Sequence, residues 1–123
     1  MAKLSEEAKK IIADIHPAFV ATASKNGRPN VSPKGSFRVL DDEHVVFAET
    51  RSPRTLANLR ENPQVAAIVF DLAARKGCRV WGKAEIIESG DLVEALQADL
   101  ARRGMKVNLA VKVPVEDFAV ISI

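Results

Sequence analysis

The residues best suited to ligand chemistry lie in segment 50–55, which reads Thr-Arg-Ser-Pro-Arg-Thr. Pro53 favours the first turn of a helix, and Ser52 is a candidate N-cap. Free backbone N–H groups at a helix start, together with forked guanidinium groups and hydroxyls, are well suited to phosphate oxygens. The segment therefore predicts a phosphate-binding corner; the alternative is a capped surface helix with solvated arginines.

A second candidate is segment 30–35, Asn-Val-Ser-Pro-Lys-Gly. Pro33 interrupts a strand and leaves backbone groups unpaired, Gly35 permits close approach, and Lys34 supplies a cation. The alternative is an edge strand that its proline and lysine protect from aggregation. The only tryptophan, Trp81, precedes a strand glycine, which indicates either contact with a ligand or packing against a neighbour.

Other reactive residue types are too few for a metal or nucleophilic centre. One cysteine, Cys78, and two histidines, His16 and His44, exclude a disulfide framework, a multi-cysteine metal site and a histidine-rich centre. We expect Cys78 to pack within a strand and both histidines to lie in connections. No nucleophilic triad, paired catalytic carboxylates, Walker loop or dinucleotide glycine motif is present.

The 123-residue chain is nearly neutral, but its positive charge is concentrated. Its 18 Lys and Arg against 16 Asp and Glu give +2, far from the basic excess of nucleic-acid binding proteins. Residues 25–60 hold more basic than acidic side chains, an excess that suits a small anion. The length fits one domain, 1–123, and no apolar run reaches membrane-spanning length. We expect a cytoplasmic protein with neither nucleic-acid nor membrane partners.

Hydrophobic periodicity predicts three helices and six or seven short strands. An Asn-Gly turn joins the first two strands, and hairpins connect the first four. We therefore expect a mainly β, α+β fold built as a small antiparallel barrel rather than a parallel doubly wound sheet. The predicted helices are 4–15, 53–62 and 89–103; the predicted strands are 18–24, 29–33, 37–40, 45–49, 64–71, 78–87 and one or two within 107–123.

In this order, the motifs resemble those of the flavin-binding split-barrel family related to pyridoxamine 5′-phosphate oxidase. The resemblance implies a six-stranded antiparallel split β-barrel with short flanking helices. It also implies a homodimer that holds two FMN molecules in the clefts between its subunits. The segments that carry it are 19–23 with the Asn-Gly turn at 26–27, 29–36, the hairpin 37–47, the helix 54–63, the strand 65–70, and 79–85.

The resemblance also implies which residues bind FMN. One strand would lie along the isoalloxazine ring, the helix start would hold the phosphate, and a later strand would approach the flavin from one chain or the other of the dimer. No catalytic residue and no metal ligand is identified. The ring residues would be Val31, Ser32, Pro33 and Lys34; the phosphate residues Arg51, Ser52, Arg54 and Thr55, supported by Asn58; and the later pair Trp81 and Lys83.

The function implied by the resemblance is that of an FMN-dependent oxidoreductase, in which the flavin carries hydride or electrons. A non-enzymatic flavin-binding or electron-transfer protein and a deazaflavin-dependent reductase remain alternatives on this fold. Haem is less suited, because only the two histidines offer axial ligands. The vitamin-B6 oxidases end in a tryptophan-containing segment with Arg-Leu-x-Pro, whereas this chain ends Phe-Ala-Val-Ile-Ser-Ile. Oxidation of vitamin B6 is therefore not expected.

Overall fold

The computed structural model describes residues 1–123 and contains eight β-strands, three α-helices and one 3₁₀ turn. The helices are α1 (Glu6–Asp14), α2 (Pro53–Glu61) and α3 (Asp91–Leu100), the last continued by the 3₁₀ turn Ala101–Arg103. The strands are β1 (Ala18–Ala23), β2 (Pro29–Lys34), β3 (Arg38–Asp41), β4 (His44–Glu49), β5 (Gln64–Asp71), β6 (Lys76–Lys83), β7 (Glu85–Ile87) and β8 (Leu109–Ser122).

All strand pairs are antiparallel, and the sheet runs in the order β2-β1-β5-β6-β8-β4-β3, with β7 added against β8. The predicted antiparallel split barrel is thereby confirmed, with eight strands where the periodicity predicted six or seven and the resemblance implied six. One additional strand arises because the predicted strand 78–87 divides. Its second part, β7, leaves β6 and pairs with the first half of β8.

The long strand β8 joins the two halves of the barrel. Its first half pairs with β4 and β7, and from Val115 onward it pairs with β6. Pro114 ends the stretch that pairs with β4, opposite His44, where a residue without an N–H group is best tolerated. β2 and β3, although consecutive in the chain, form the two free edges of the sheet. The barrel is consequently open along the seam between them.

Two apolar clusters stabilise this arrangement. The larger fills the barrel, where α1 contributes Ala8 and Ile12, both fully buried. Ser5 caps α1 as predicted, its hydroxyl accepting a hydrogen bond from the Ala8 N–H at 3.1 Å. The smaller cluster joins Leu96 and Leu100 of α3 to the outer surface of β4 and β8. The second cluster therefore holds the carboxyl end of α3 beside the open seam.

None of the helices is long and apolar enough to cross a membrane.

The approach of β8 to Gly82 yields a test of the barrel packing. A Cβ at Gly82 would overlap the Pro114 carbonyl oxygen and lie 2.6 Å from Val113 Cγ1, at the point where the β6–β8 register shifts. We expect Gly82→Ala to lower the free energy of unfolding by about 1–3 kcal/mol, because backbone cannot move aside as a side chain can. Urea denaturation measures the change.

Gly35→Ala is the matched control. A Cβ there would meet only Arg103 Nη1, at an ordinary 3.6 Å, so its effect should stay within about 0.5 kcal/mol. Equal unfolding midpoints for the two variants would contradict the close packing at Gly82.

Candidate functional site

A cleft of about 380 Å³ opens at the seam of the barrel, between the end of β2 and the loop that joins β4 to α2. The turn after β2 and the carboxyl end of α3 complete its walls. Five of the residues that the sequence analysis assigned to FMN meet in this cleft. Its lining consists of Ser32, Pro33, Lys34, Gly35, Ser36, Ala48, Thr50, Arg51, Ser52, Leu100, Arg103 and Met105.

Lys34 is a buried cation of this cleft, only 5% exposed. Its ammonium donates a hydrogen bond to the Ser52 hydroxyl and lies 5.8 Å from the ring centroid of Phe47. Burial lowers the pKa of Lys34, and the carboxylate of Glu49 partly opposes that shift. A positive charge held away from water is stabilised by an anion that enters the cleft.

Glu49, the last residue of β4, is a site residue that the sequence analysis missed. It is 4% exposed, and its carboxylate accepts a hydrogen bond from the Ser52 N–H at 2.5 Å. Ser52 occupies the N-cap position of α2, as predicted, but its hydroxyl faces Lys34 and makes no capping hydrogen bond. The loop before α2 is thus held by a buried carboxylate on one side and a buried ammonium on the other.

The α2 residues assigned to the phosphate corner divide between surface and core. Arg54 is exposed on the first turn and does not line the cleft. Thr55 is 1% exposed, and its hydroxyl accepts a hydrogen bond of 3.4 Å from the Asn30 amide. Asn58 is 7% exposed and donates to the Thr22 hydroxyl at 3.1 Å. The side chains of Thr55 and Asn58 thus connect α2 to β2 and β1. The contribution of Asn58 within this chain is a hydrogen bond between the helix and the sheet.

Val31, Trp81 and Lys83 lie on the opposite face of the sheet. Strand alternation places Ser32 and Lys34 toward α2 but Val31 outward, where it is 63% exposed. Trp81 pairs with Ala66 across β5 and β6 and lines a separate shallow cleft of about 290 Å³. Within one chain, these three residues do not meet the cleft at the seam.

Arg103 and Met105 are further cleft residues that sequence reasoning missed. Arg103 lies in the 3₁₀ turn after α3, and Gly104 ends that turn with a positive φ of 69°. The basic pair 102–103 before a glycine stop was the available local signal. It could not be assigned to the cleft, because the partner loop lies about fifty residues earlier in the chain.

Together these features give the cleft a positive charge. The cleft combines a buried ammonium with two exposed guanidinium groups, and α2 begins directly after Ser52 in its wall. Arg51 and Arg103 are absent from the ion pairs of the chain, which use other cations. Such a donor set fits a phosphate and the electron-rich edge of a planar ring.

Comparisons with known proteins agree with this architecture. A family model described as pyridoxamine 5′-phosphate oxidase matches residues 4–123. An uncharacterized protein of Methanocaldococcus jannaschii is 34% identical over 111 residues, which cover 83% of this chain and 73% of the relative. The solved structure of HupZ from Group A Streptococcus is 28% identical, with a TM-score of 0.89 over 97% of this chain and 94% of HupZ.

More distant structures show the same fold. An FMN-binding protein from Syntrophomonas wolfei subsp. wolfei is 17% identical with a TM-score of 0.86, covering 96% of this chain and 86% of the neighbour. An F420 reductase (22% identical, 94% of this chain and 98% of that one) and the heme storage protein HutZ from Vibrio cholerae (20%, 98% and 95%) both have TM-scores of 0.72. From the match over nearly its whole length, the chain belongs to the pyridoxamine 5′-phosphate oxidase family and has its split-barrel fold.

Proposed function

We propose that the protein is an FMN-dependent oxidoreductase that binds the flavin in the cleft at the seam, as a homodimer. The observation that carries the proposal is the buried Lys34 ammonium beside the Arg51–Ser52 loop. This arrangement offers positive charge both to a phosphate at the loop and to a ring along β2. Family membership and the FMN-binding neighbour of the same fold support the choice of ligand.

The residues present fit FMN by the chemistry of their donors. Arg51, Arg54 and the first N–H groups of α2 would hold the phosphate, since guanidinium groups and a helix start both favour phosphate oxygens. Ser32, Pro33 and Lys34 would lie along the ring, with the Lys34 ammonium near its N1–C2 edge. Bound there, FMN would supply hydride or electron transfer at N5.

The chain's own contribution to the reaction would be electrostatic. The Lys34 ammonium would stabilise negative charge that develops on the ring edge, and it would do so more strongly because it is shielded from water. Glu49 would keep the Ser52 backbone, and with it Arg51, in position through its 2.5 Å hydrogen bond. Protons would come from solvent or from the substrate.

The second wall of the site would come from a second copy of the chain. The outer face of β1, β2, β5 and β6 is mainly apolar apart from Arg79 and Lys83 on β6, and Phe19 on it is 47% exposed. Two shallow clefts of about 290 and 250 Å³ lie on this face, and both are lined mainly by small and apolar side chains. A two-fold contact through this face would bury it and bring Trp81 and Lys83 of one protomer toward the seam of the other.

A deazaflavin reductase is the second candidate, because the same fold occurs in an F420 reductase. Purified protein that is yellow, and releases FMN on denaturation, supports FMN over a deazaflavin. Reduction of the bound flavin by NADH or NADPH, compared with one-electron exchange, separates an enzyme from an electron carrier. Colourless protein that takes up no FMN on reconstitution would contradict the proposal.

The phosphate assignment predicts the effect of two arginine variants. Arg51→Ala and Arg54→Ala should each raise the Kd for FMN about tenfold or more, because each removes a charge-assisted contact to phosphate. Quenching of flavin fluorescence measures Kd. Arg60→Ala is the control, since Arg60 lies in the last turn of α2 and contacts Glu88 at 3.3 Å. Unchanged affinity in both site variants would overturn the assignment.

Lys34 predicts a pH dependence of FMN affinity. Burial lowers the pKa of Lys34 from its ordinary 10.5, so its positive charge is lost at a lower pH than that of an exposed lysine. Only the charged form attracts the flavin, so wild-type affinity should fall as pH rises through that lowered pKa. The Kd ratio of Lys34→Met to wild type should then approach one in alkaline solution; a ratio independent of pH would refute the role of Lys34.

A variant in the outer face tests the proposed dimer contact. Ala66→Arg places a charge in the centre of the outer face, between Ala21 and Trp81 on the neighbouring strands, and should yield monomers that bind FMN at least about tenfold more weakly. Light scattering during size-exclusion chromatography measures the mass. Ala73→Arg, in the exposed turn after β5, is the control. A dimer that survives Ala66→Arg would place the contact elsewhere.

A further inference from the structure

Arg79 is an unpaired cation on the outer face of the sheet. It lines the shallow cleft of about 250 Å³ there, and the other lining residues of that cleft are apolar. Its guanidinium lies 5.6 Å from the ring centroid of Trp81, and it is absent from the ion pairs of the chain. The indole ring supports the guanidinium through a cation–π contact and leaves its N–H groups available to a partner.

The carboxylates near this face do not neutralise the charge. Asp117 lies opposite Trp81 in the β6–β8 ladder, but its carboxylate accepts the N–H of the next residue at 2.9 Å. Neither Asp117 nor Glu116 forms an ion pair. β1 contains no ionisable residue. Those of β2 and β5 are Lys34, which faces the cleft at the seam, and Asp71, whose carboxylate binds its own turn.

The proposed dimer sets Arg79 of one protomer against β2 of the other. The outer face runs in the order β2-β1-β5-β6. A two-fold axis parallel to the strands, between β1 and β5, exchanges the two ends of this order, so β6 of one protomer lies opposite β2 of its partner. Arg79 and Trp81 would then lie over the strand along which the flavin ring is proposed to bind.

Burial of Arg79 in this contact requires an anion. A guanidinium removed from water is unfavourable unless a negative group pairs with it, and the outer side chains of β1 and β2 offer none. The phosphate of FMN is assigned to Arg51 and Arg54, so the remaining ligand at this position is the substrate, which must lie against the ring to react with it. A carboxylate fits best, because it accepts two parallel hydrogen bonds from one guanidinium.

We propose that Arg79 of each protomer is a substrate-binding residue of the other protomer's site, where its guanidinium selects substrates that carry a carboxylate. The inference rests on the proposed function, because it takes FMN to lie in the cleft at the seam and the dimer to form through the outer face. Trp81 would hold the guanidinium in position from below. Each site would therefore be incomplete without the partner subunit.

The test uses benzoate and benzamide as probes, since they have nearly the same shape and differ by one negative charge. Isothermal titration calorimetry measures the Kd of each probe for the FMN-loaded dimer. We expect wild type to bind benzoate at least about tenfold more tightly than benzamide. Arg79→Gln should bring the two Kd values within about threefold of each other, while the Kd for FMN changes less than about threefold.

Arg75→Gln is the matched control, because it removes the same charge from an exposed turn directly before β6. It should retain the preference for benzoate. If light scattering shows that Arg79→Gln is not a dimer, Arg79→Lys replaces it. That variant keeps the charge but lacks the forked N–H groups, and it should lose at least about threefold of the preference. Wild type without a preference, a site variant that retains it in full, or a control that loses it equally would overturn the proposal.

A mixed dimer tests whether Arg79 acts across the subunit interface. Lys34→Met and Arg79→Gln chains with different affinity tags are co-expressed, and dimers that contain one chain of each kind are purified. If Arg79 serves the partner's site, one site has both substitutions and the other has neither. One site per dimer should then bind benzoate with the wild-type Kd. If Arg79 served the site of its own chain, each site would have one substitution, and the absence of a wild-type site would refute the contact between subunits.

Failure of the proposed function gives a different result. Protein that binds no FMN contradicts that function, and the role of Arg79 is then judged on the cofactor-free dimer by the thermal shift that benzoate produces. A stabilisation that Arg79→Gln abolishes and Arg75→Gln retains supports the carboxylate contact. No stabilisation, or one that Arg79→Gln retains, overturns it.

Discussion

The buried ammonium of Lys34 organises the seam of the barrel. Removing a charge from water is unfavourable unless polar groups surround it, and the Ser52 hydroxyl and the Glu49 carboxylate perform that task. Glu49 in turn accepts the N–H of Ser52. Because Ser52 in one short loop contacts both buried charges, the start of α2 has little freedom of position. The loop that presents Arg51 to the cleft is therefore set by electrostatics in the barrel wall rather than by helix capping.

The seam exists because β2 and β3 leave each other unpaired. Each of these strands pairs on one side only, β2 with β1 and β3 with β4, while β8 closes the rest of the barrel. A closed barrel would fill this place with a hydrogen-bonded ladder and leave no cleft. The small apolar cluster under α3 then places Arg103 across the opening. Opening the barrel at one pair of edges thus makes room for a ligand without a separate domain.

Strand alternation lets β2 serve two surfaces at once. Lys34 and Ser32 face the cleft and α2, while Val31, the residue before Ser32, faces the outer side of the sheet. A shift of one residue in the β1–β2 pairing would exchange these faces and expel the lysine. The Thr22–Asn58 and Asn30–Thr55 hydrogen bonds oppose such a shift, because they tie the inner face of both strands to α2. The β1–β2 register therefore determines both which side chains face the cleft and which face the outer side of the sheet.

Local signals in the chain were enough to predict much of this protein. The Ser5 cap, Pro53 at the start of α2, Gly104 after α3 and the alternation of β5 each depend on neighbouring residues, so the elements and the basic segment before α2 followed from sequence. The Glu49 contact, the approach of Arg103 and the outward direction of Trp81 did not. Strand pairing and packing bring these groups to their places from distant parts of the chain, and no local pattern records which partner a side chain will meet once the barrel has formed.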